Sequence, residues 1–504
     1  MDTIKELFLF SIFLVLIFHI DINSAISGPS HDKVVVCYIG TWSVYRPGKG
    51  KFEIEDLDPS LCTHVIYSFA GLNVAEDTIR SLDPWQDLSD EYGKDGYNRL
   101  VRLKQEYPHL KVSIAIGGWN EGSANYSRLA ADPGRRGRFI VSVLDLLRKH
   151  KFDGLDLDWE FPAKRGGAPE DKANFLLLVK ELRAAFNKFN YLLTAAFGAG
   201  KDTIDIAYDV AGLSVYLDFI HMMCYDYHGA WDSRTGANAP LRSSDFLSVE
   251  YSINYMIKLG ANPSKLVMGL PFYGRTFLVN NAALSSVRQR KLGEASQSTG
   301  FQGPYTKEDG FMGYHEICLE LKNTSLGYTR HWDDISRTPF AVSNERVIAY
   351  DDAESITEKV KFAMEKRLGG CMIWSIDTDD FRGDCPDDDG NVGGHTNFPL
   401  LRTPLEQDDN IKYKARLVAK DFGQDKEDYD DLYSAIAKMA TLCLLLSIGN
   451  QFSYYFRQLD VKSEFLNGKM DEPVFIYPPS GVNSQEGKVL RLNKCSLPNV
   501  GSTK

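Results

Sequence analysis

The chain has 504 residues, 43% of them hydrophobic and 12% aromatic, enough to bury a sizeable core and too apolar for wholesale disorder. A net charge of −11 lacks the basic surplus that a polyanion binder needs, so nucleic acid is excluded as an expected partner. Eight cysteines with no C-x-x-C pair exclude a disulfide scaffold and a zinc ribbon, and no metal or cofactor is expected.

The first element is a leader. Lys5 precedes an apolar run at 7–18, and Ser24-Ala25 follow a polar break at Asp21 and Asn23. That form predicts a secretory signal over residues 1–25, because about 12 apolar residues fall short of the ~20 that span a bilayer. No other stretch could span a membrane. An exported chain admits disulfides, and its sequons at Asn125 and Asn323 become expected glycan acceptors.

From residue 33 to residue 400, short apolar runs alternate with helical patterns. The runs are 34–40, 63–70, 110–117, 154–160, 192–198, 217–225, 265–272 and 370–376; helical stretches include 135–150, 172–188, 248–259 and 355–366. Strands apolar on both faces and separated by helices predict a parallel sheet covered on both sides. Eight of them predict an α/β fold, a (β/α)8 TIM barrel, and no G-x-G-x-x-G supports a dinucleotide-binding sheet instead. The gap between the seventh and eighth runs is too long for one βα unit. It predicts a small α+β insertion domain at about 273–345.

The fourth run carries the chemistry. In 153–160, Asp156, Asp158 and Glu160 alternate with Leu155, Leu157 and Trp159, so the three carboxylates share one face and the apolar residues the other. An acidic solvent-facing strand would not alternate with Leu-Leu-Trp in an apolar barrel. The carboxylates therefore face the interior, where like charges cannot all ionise; Asp156 and Asp158 are expected to share a proton and Glu160 to keep one as a general acid. Trp159 should face the helices.

The segment Asp153-Gly154-Leu155-Asp156-Leu157-Asp158-Trp159-Glu160 resembles the D-x-x-D-x-D-x-E motif of family 18 glycoside hydrolases, the chitinases. Four more segments resemble the same family in order: 110–120 ending Gly117-Gly118-Trp119-Asn120, 222–229 with Tyr225-Asp226, 269–275, and 370–377 with Trp374. The likeness covers residues 33–401 and is greatest to secreted arthropod members. It implies substrate-assisted retaining hydrolysis of β-1,4 bonds between N-acetylglucosamine units, with endo action expected and no enzyme nucleophile. Glu160 would be the acid, Asp158 would hold the acetamide N–H, Asp156 would share its proton, Tyr225 would donate to the acetamide oxygen, and Asp226 would contact the sugar. Trp374 would floor the cleaved sugar's site. Trp42, Trp85, Trp119 and Trp231, with Tyr38, Phe69, Gly117, Gly118, Asn120, Phe161, Met223, Tyr273 and Arg275, are the implied substrate contacts. The resemblance also implies bridges Cys37–Cys62 and Cys318–Cys385, leaving Cys224 and Cys371 as buried thiols. Phe161 stands where many relatives have Tyr, and Ala115 where many have Ser. Family members that lost the Glu are lectins, so a weakly catalytic chitin- or glycan-binding lectin is the alternative. The partner is chitin or its oligosaccharides, met as a monomer outside the cell and not at a membrane.

After residue 403 the texture changes. All seven tryptophans lie between Trp42 and Trp374, and Pro399 and Pro404 bracket the change, which places a boundary before residue 404. Residues 413–420, 458–468 and 487–497 resemble a copia-type retrotransposon reverse transcriptase, with Asp460 at its first metal-binding position. A polymerase site needs further carboxylates from a later Y-x-D-D hairpin, and Tyr429-Asp430-Asp431 precedes Asp460. Residues 404–504 are therefore expected to be a truncated, non-functional fragment, a transposon piece or a gene-model artefact, in place of a six-cysteine chitin-binding module.

Overall fold

The computed structural model describes residues 33–280, 290–385, 397–407, 474–476 and 490–492. The leader, Cys443, Cys495, Asp460 and the Tyr-Asp-Asp at 429–431 lie outside the described residues.

Eight parallel strands form the centre: β1 (Val34–Gly40), β2 (His64–Asn73), β4 (Lys111–Gly117), β5 (Gly154–Asp158), β6 (Leu192–Gly198), β7 (Phe219–Met223), β8 (Leu266–Pro271) and β14 (Gly370–Trp374). Each pairs with the next, and β1 pairs with both β14 (Val34↔Gly370) and β2 (Val36↔His64), so the sheet closes into the expected (β/α)8 barrel. A short β3 (Thr78–Ser81) adds antiparallel to β2. The strands form where β-branched and apolar residues run together. Helices at Pro133–His150, Asp171–Phe186, Val249–Lys258 and Ala353–Glu365 cover them.

Strand alternation splits the core into two layers. Leu155 and Leu157 point outward into the large cluster with Phe139, Val143, Phe175 and Val179 of the helices. Val36, Tyr38, Ile66, Ala115, Val267 and Met372 point inward and fill the barrel. Asp156 lies beside Ala115 in register, which puts a carboxylate in that inner layer.

The insertion is a five-stranded antiparallel sheet in the order β10-β9-β13-β12-β11, made from β9 (Tyr273–Leu278), β10 (Phe311–Gly313), β11 (Thr329–Asp333), β12 (Thr338–Ser343) and β13 (Arg346–Ala349), with a helix at Tyr314–Lys322. It runs past the expected limit at residue 345, because Arg346–Ala349 pairs with β9 and buries Val347 and Ala349. Disulfides join Cys37 to Cys62 and Cys318 to Cys385. Cys224 and Cys371 are free and buried, and burial pushes both thiols up to about 12.

The boundary expected before residue 404 needs correction. A helix, Pro399–Gln407, runs through it. Leu400 and Leu401 are fully buried in the barrel's outer core, and their backbone N–H groups donate to the Asp379 carboxylate at 3.3 and 2.9 Å. Burial pushes Asp379 up to about 7, against the three backbone N–H donors that hold it down. Pro404 lies within this helix: proline removes one helical hydrogen bond and does not oblige a helix to end. The chain divides into compact units at 1–411 and 412–504, and the second contains an antiparallel pairing of Val474–Ile476 with Leu490–Leu492.

Leu401→Ala should destabilise the barrel by about 2–5 kcal/mol, as deletion of a fully buried leucine does. Thermal unfolding of the variant checks it; an unchanged melting temperature would show that this helix is not part of the barrel's core.

Candidate active site

The carboxylates rise along β5 and out of its end. Asp156 is fully buried. Tyr38 donates its hydroxyl to Asp156 Oδ2 at 2.7 Å, and Thr194 donates to Oδ1 at 2.5 Å. His221 Nδ1 lies 3.1 Å from the same Oδ1 and 2.7 Å from the Tyr38 oxygen. Asp158 stands one step higher, with Oδ1 buried and without a hydrogen-bond partner among the described residues. Its carboxyl is pushed well above the usual range by burial first, then by Glu160 and Asp156. Glu160 sits two residues beyond the strand, not on it. Burial pushes it up to about 7, with Arg165 acting against that rise and Asp226 adding to it.

Both Asp156 oxygens are thus engaged by Tyr38, Thr194 and His221. No direct hydrogen bond joins Asp156 to Asp158 among the described residues. Trp159 turns outward, as expected, and donates its indole N–H to Ser123 Oγ at 2.6 Å.

Gly117 adopts φ +117°, and a Cβ there would stand 2.1 Å from the Asp158 carbonyl; it is glycine so that β4 can approach the ladder. Gly118 faces the Phe69 ring in the same way and donates its N–H to that carbonyl at 2.8 Å. Pairing of β2 with β4 shifts between Tyr67 and Ala70, around Phe69. The peptide bonds Ser68–Phe69, Glu160–Phe161 and Trp374–Ser375 are cis.

Aromatic rings surround the ladder. Trp374 lies 5.6 Å from Tyr38, 5.9 Å from Phe69 and 6.2 Å from Trp42, and Trp42 stacks on Phe69. Met223 and Tyr225 join the inner cluster that includes Trp374. Burial raises the Tyr225 hydroxyl, and its hydrogen-bond contact is the Met372 sulfur at 3.9 Å, a weak partner. Asp226 accepts from Tyr273 at 2.7 Å and from two Arg275 nitrogens, each at 2.7 Å. Four tryptophans are too open to be core: Trp42 is 46% exposed, Trp85 49%, Trp231 56% and Trp119 59%. Trp85 stacks on Tyr45 beneath Lys94, and Arg275 lies 5.0 Å from the Trp231 ring. Asn120 is exposed in the turn after β4, whereas Phe161 is half-buried and its ring faces Gly198. Asn125 and Asn323 are both exposed.

The structure adds residues that were not expected. Thr194 and His221 complete the floor. His221 shares inward parity with Met223 and Tyr225, so its position was readable, but it was hidden as one polar residue in an apolar run. Arg165 donates to the Glu160 carbonyl at 3.0 Å. Arg46, buried, pairs with Asp377 at 2.7 Å just past Trp374. Among the described residues no His, Cys, Asp and Glu cluster could hold a metal, and no helix is long and apolar enough to cross a membrane. The site can hold and release a proton beside aromatic faces suited to sugar rings.

Comparison with known proteins agrees with this geometry. The family model for glycosyl hydrolases family 18 matches residues 34–379, and a reverse transcriptase (RNA-dependent DNA polymerase) model matches residues 400–498. The chain is 54% identical over 400 residues to probable chitinase 2 of Drosophila melanogaster, covering 75% of this chain and 81% of that protein. The solved Group IV chitinase of Ostrinia furnacalis in complex with allosamidin superposes with a TM-score of 0.68 at 42% identity, over 74% of this chain and 97% of that one. Human YKL-39, described as a pseudo-chitinase with retained chitooligosaccharide binding, superposes with a TM-score of 0.66 at 34% identity, over 74% of this chain and 99% of that one. The chain belongs to glycosyl hydrolases family 18 and is an enzyme of its chitinase group.

Proposed function

We propose that this chain is an active, secreted chitinase that hydrolyses chitin with retention, using the substrate's own N-acetyl oxygen as nucleophile. One observation carries the reading: a carboxyl pushed up to about 7, Glu160, at the mouth above a buried, protonated-leaning Asp158. Glu160 protonates the glycosidic oxygen. Asp158 accepts the acetamide N–H and aligns the acetamide oxygen on the anomeric carbon, and Asp156, held by the floor, steadies Asp158. Tyr225, whose hydroxyl lacks a strong partner, donates to the acetamide oxygen. Asp226, fixed by Tyr273 and Arg275, binds a sugar hydroxyl. Trp374 is the floor, and Trp42, Trp85, Trp119 and Trp231 take flanking sugars.

The leader at 1–25, glycans on Asn125 and Asn323, action as a monomer and a preference for internal bonds complete the proposal. Residues beyond 407 take no part in the chemistry. A chain ended at Gln407 should keep its turnover and gain secreted yield, because it sheds the apolar sequence run at 442–446. Loss of activity on that truncation would make the tail an integral part of the enzyme.

Glu160→Gln keeps the shape and removes the transferable proton, so turnover of chitin oligomers should fall by about 10²–10⁴-fold while their binding survives. Asp158→Asn should also be severe. Turnover untouched in Glu160→Gln would sink the mechanism; absence of turnover in the unaltered chain, with oligomer binding intact, would favour the lectin.

The pH dependence has a definite sign. A general acid works in its protonated form, so the alkaline limb of kcat/KM should fall as pH rises through about 7. A rate that climbs steadily from pH 6 to pH 8 contradicts the assignment.

A further inference from the structure

The loop after Glu160 is built to present one side chain. Asp171 is fully buried and accepts from the Ala163 and Ala168 backbone N–H groups at 3.1 and 2.8 Å, and from the Ser127 hydroxyl at 2.7 Å. Ala163, Arg165 and Gly166 all take positive φ, at 61°, 52° and 91°. That curl carries Arg165 back across the mouth. Its guanidinium carbon lies 3.5 Å from the centroid of the Trp119 ring, while NH1 donates to the Glu160 backbone carbonyl at 3.0 Å. One planar cation therefore bridges the backbone of the acid and an exposed aromatic platform in the turn after β4.

We propose that Arg165 is a positioning residue that couples substrate seating on Trp119 to proton delivery by Glu160. Its planar group braces one face of the indole, so the other is presented to a sugar ring in a fixed attitude. Its charge acts on the Glu160 carboxyl at the same time. The groups facing that carboxyl are Asp158 on β5, Asp226 and Tyr225 after β7, Tyr208 after β6, and Arg165. Arg165 is the cation of this set, and Asp226, already paired with Arg275, opposes it. By favouring the carboxylate, Arg165 makes Glu160 a readier proton donor and sets the alkaline edge of activity.

The inference rests on Glu160 as the acid, and the test separates the two. Arg165 is exposed, so its substitution does not threaten the fold. In Arg165→Met the alkaline limb of kcat/KM for a chitin oligomer should move up by about half a pH unit, and KM should rise about three- to tenfold. Arg165→Gln, also neutral, should show the same limb shift. Arg165→Lys keeps the charge without the planar face, so the limb should stay in place while KM still rises. In 1 M salt, where the Debye length is about 3 Å, the difference in limb between the unaltered enzyme and Arg165→Met should shrink. A limb that does not move in either neutral variant, or that moves equally in Arg165→Lys, overturns the proposal, as does an unchanged KM in all three. Activity surviving in Glu160→Gln would instead remove the acid on which the inference stands, a different and separately visible result.

Discussion

Burial of carboxylates in a closed apolar barrel is the constraint on which the remaining features of this site depend. A carboxylate taken from water needs hydrogen-bond donors or a proton. Asp156 meets the need with donors: Tyr38 from β1 and Thr194 from β6 donate to it, and His221 Nδ1 from β7 lies 3.1 Å away. Asp158, one step up, has a buried oxygen with no donor and retains a proton more readily. Glu160, higher still, is poised near 7 by burial and tempered by Arg165. The gradient along one strand, from fully donated to half-solvated, turns three chemically similar groups into three distinct ones.

The rest of the mouth follows from the same geometry. Gly117 lets β4 approach the ladder closely enough for Gly118 to bond the Asp158 carbonyl, which fixes the strand end from which Glu160 projects. The register shift in β2 sets Phe69 beside Trp42 and Trp374, and the buried Arg46–Asp377 pair holds the segment that follows Trp374. The insertion sheet begins where β8 ends, and its first strand supplies Tyr273 and Arg275, the two donors that fix Asp226. An aromatic surface of this kind suits a neutral polymer whose rings present C–H faces, and the absence of a basic surplus suits it equally.

The C-terminal region illustrates how local punctuation can mislead. A proline and a loss of tryptophan suggested a break before residue 404. Two adjacent leucines, 400 and 401, had already committed the following helix to the barrel, and the Asp379 carboxylate holds their N–H groups. The reverse transcriptase match begins at residue 400 and takes in this helix, whereas the family 18 match ends at residue 379.

By itself the amino-acid sequence determined the barrel and the ladder, because these rest on period, whereas the aromatic residues of the mouth were marked only by the likeness to a family. Strands apolar on both faces, spaced by helices, admit few architectures, and strict alternation in 154–160 assigns each carboxylate a face. Strand limits were legible to within one or two residues, with β2 running three residues further and Glu160 falling beyond β5. Only the tertiary structure decided which groups meet. Thr194 and Arg165 carry no mark in the sequence, and His221 shows only its inward parity; their importance comes from closure of the barrel and from a curled loop that brings distant segments together. Contacts between residues far apart in the chain depend on strand register and loop course, and no local pattern encodes either.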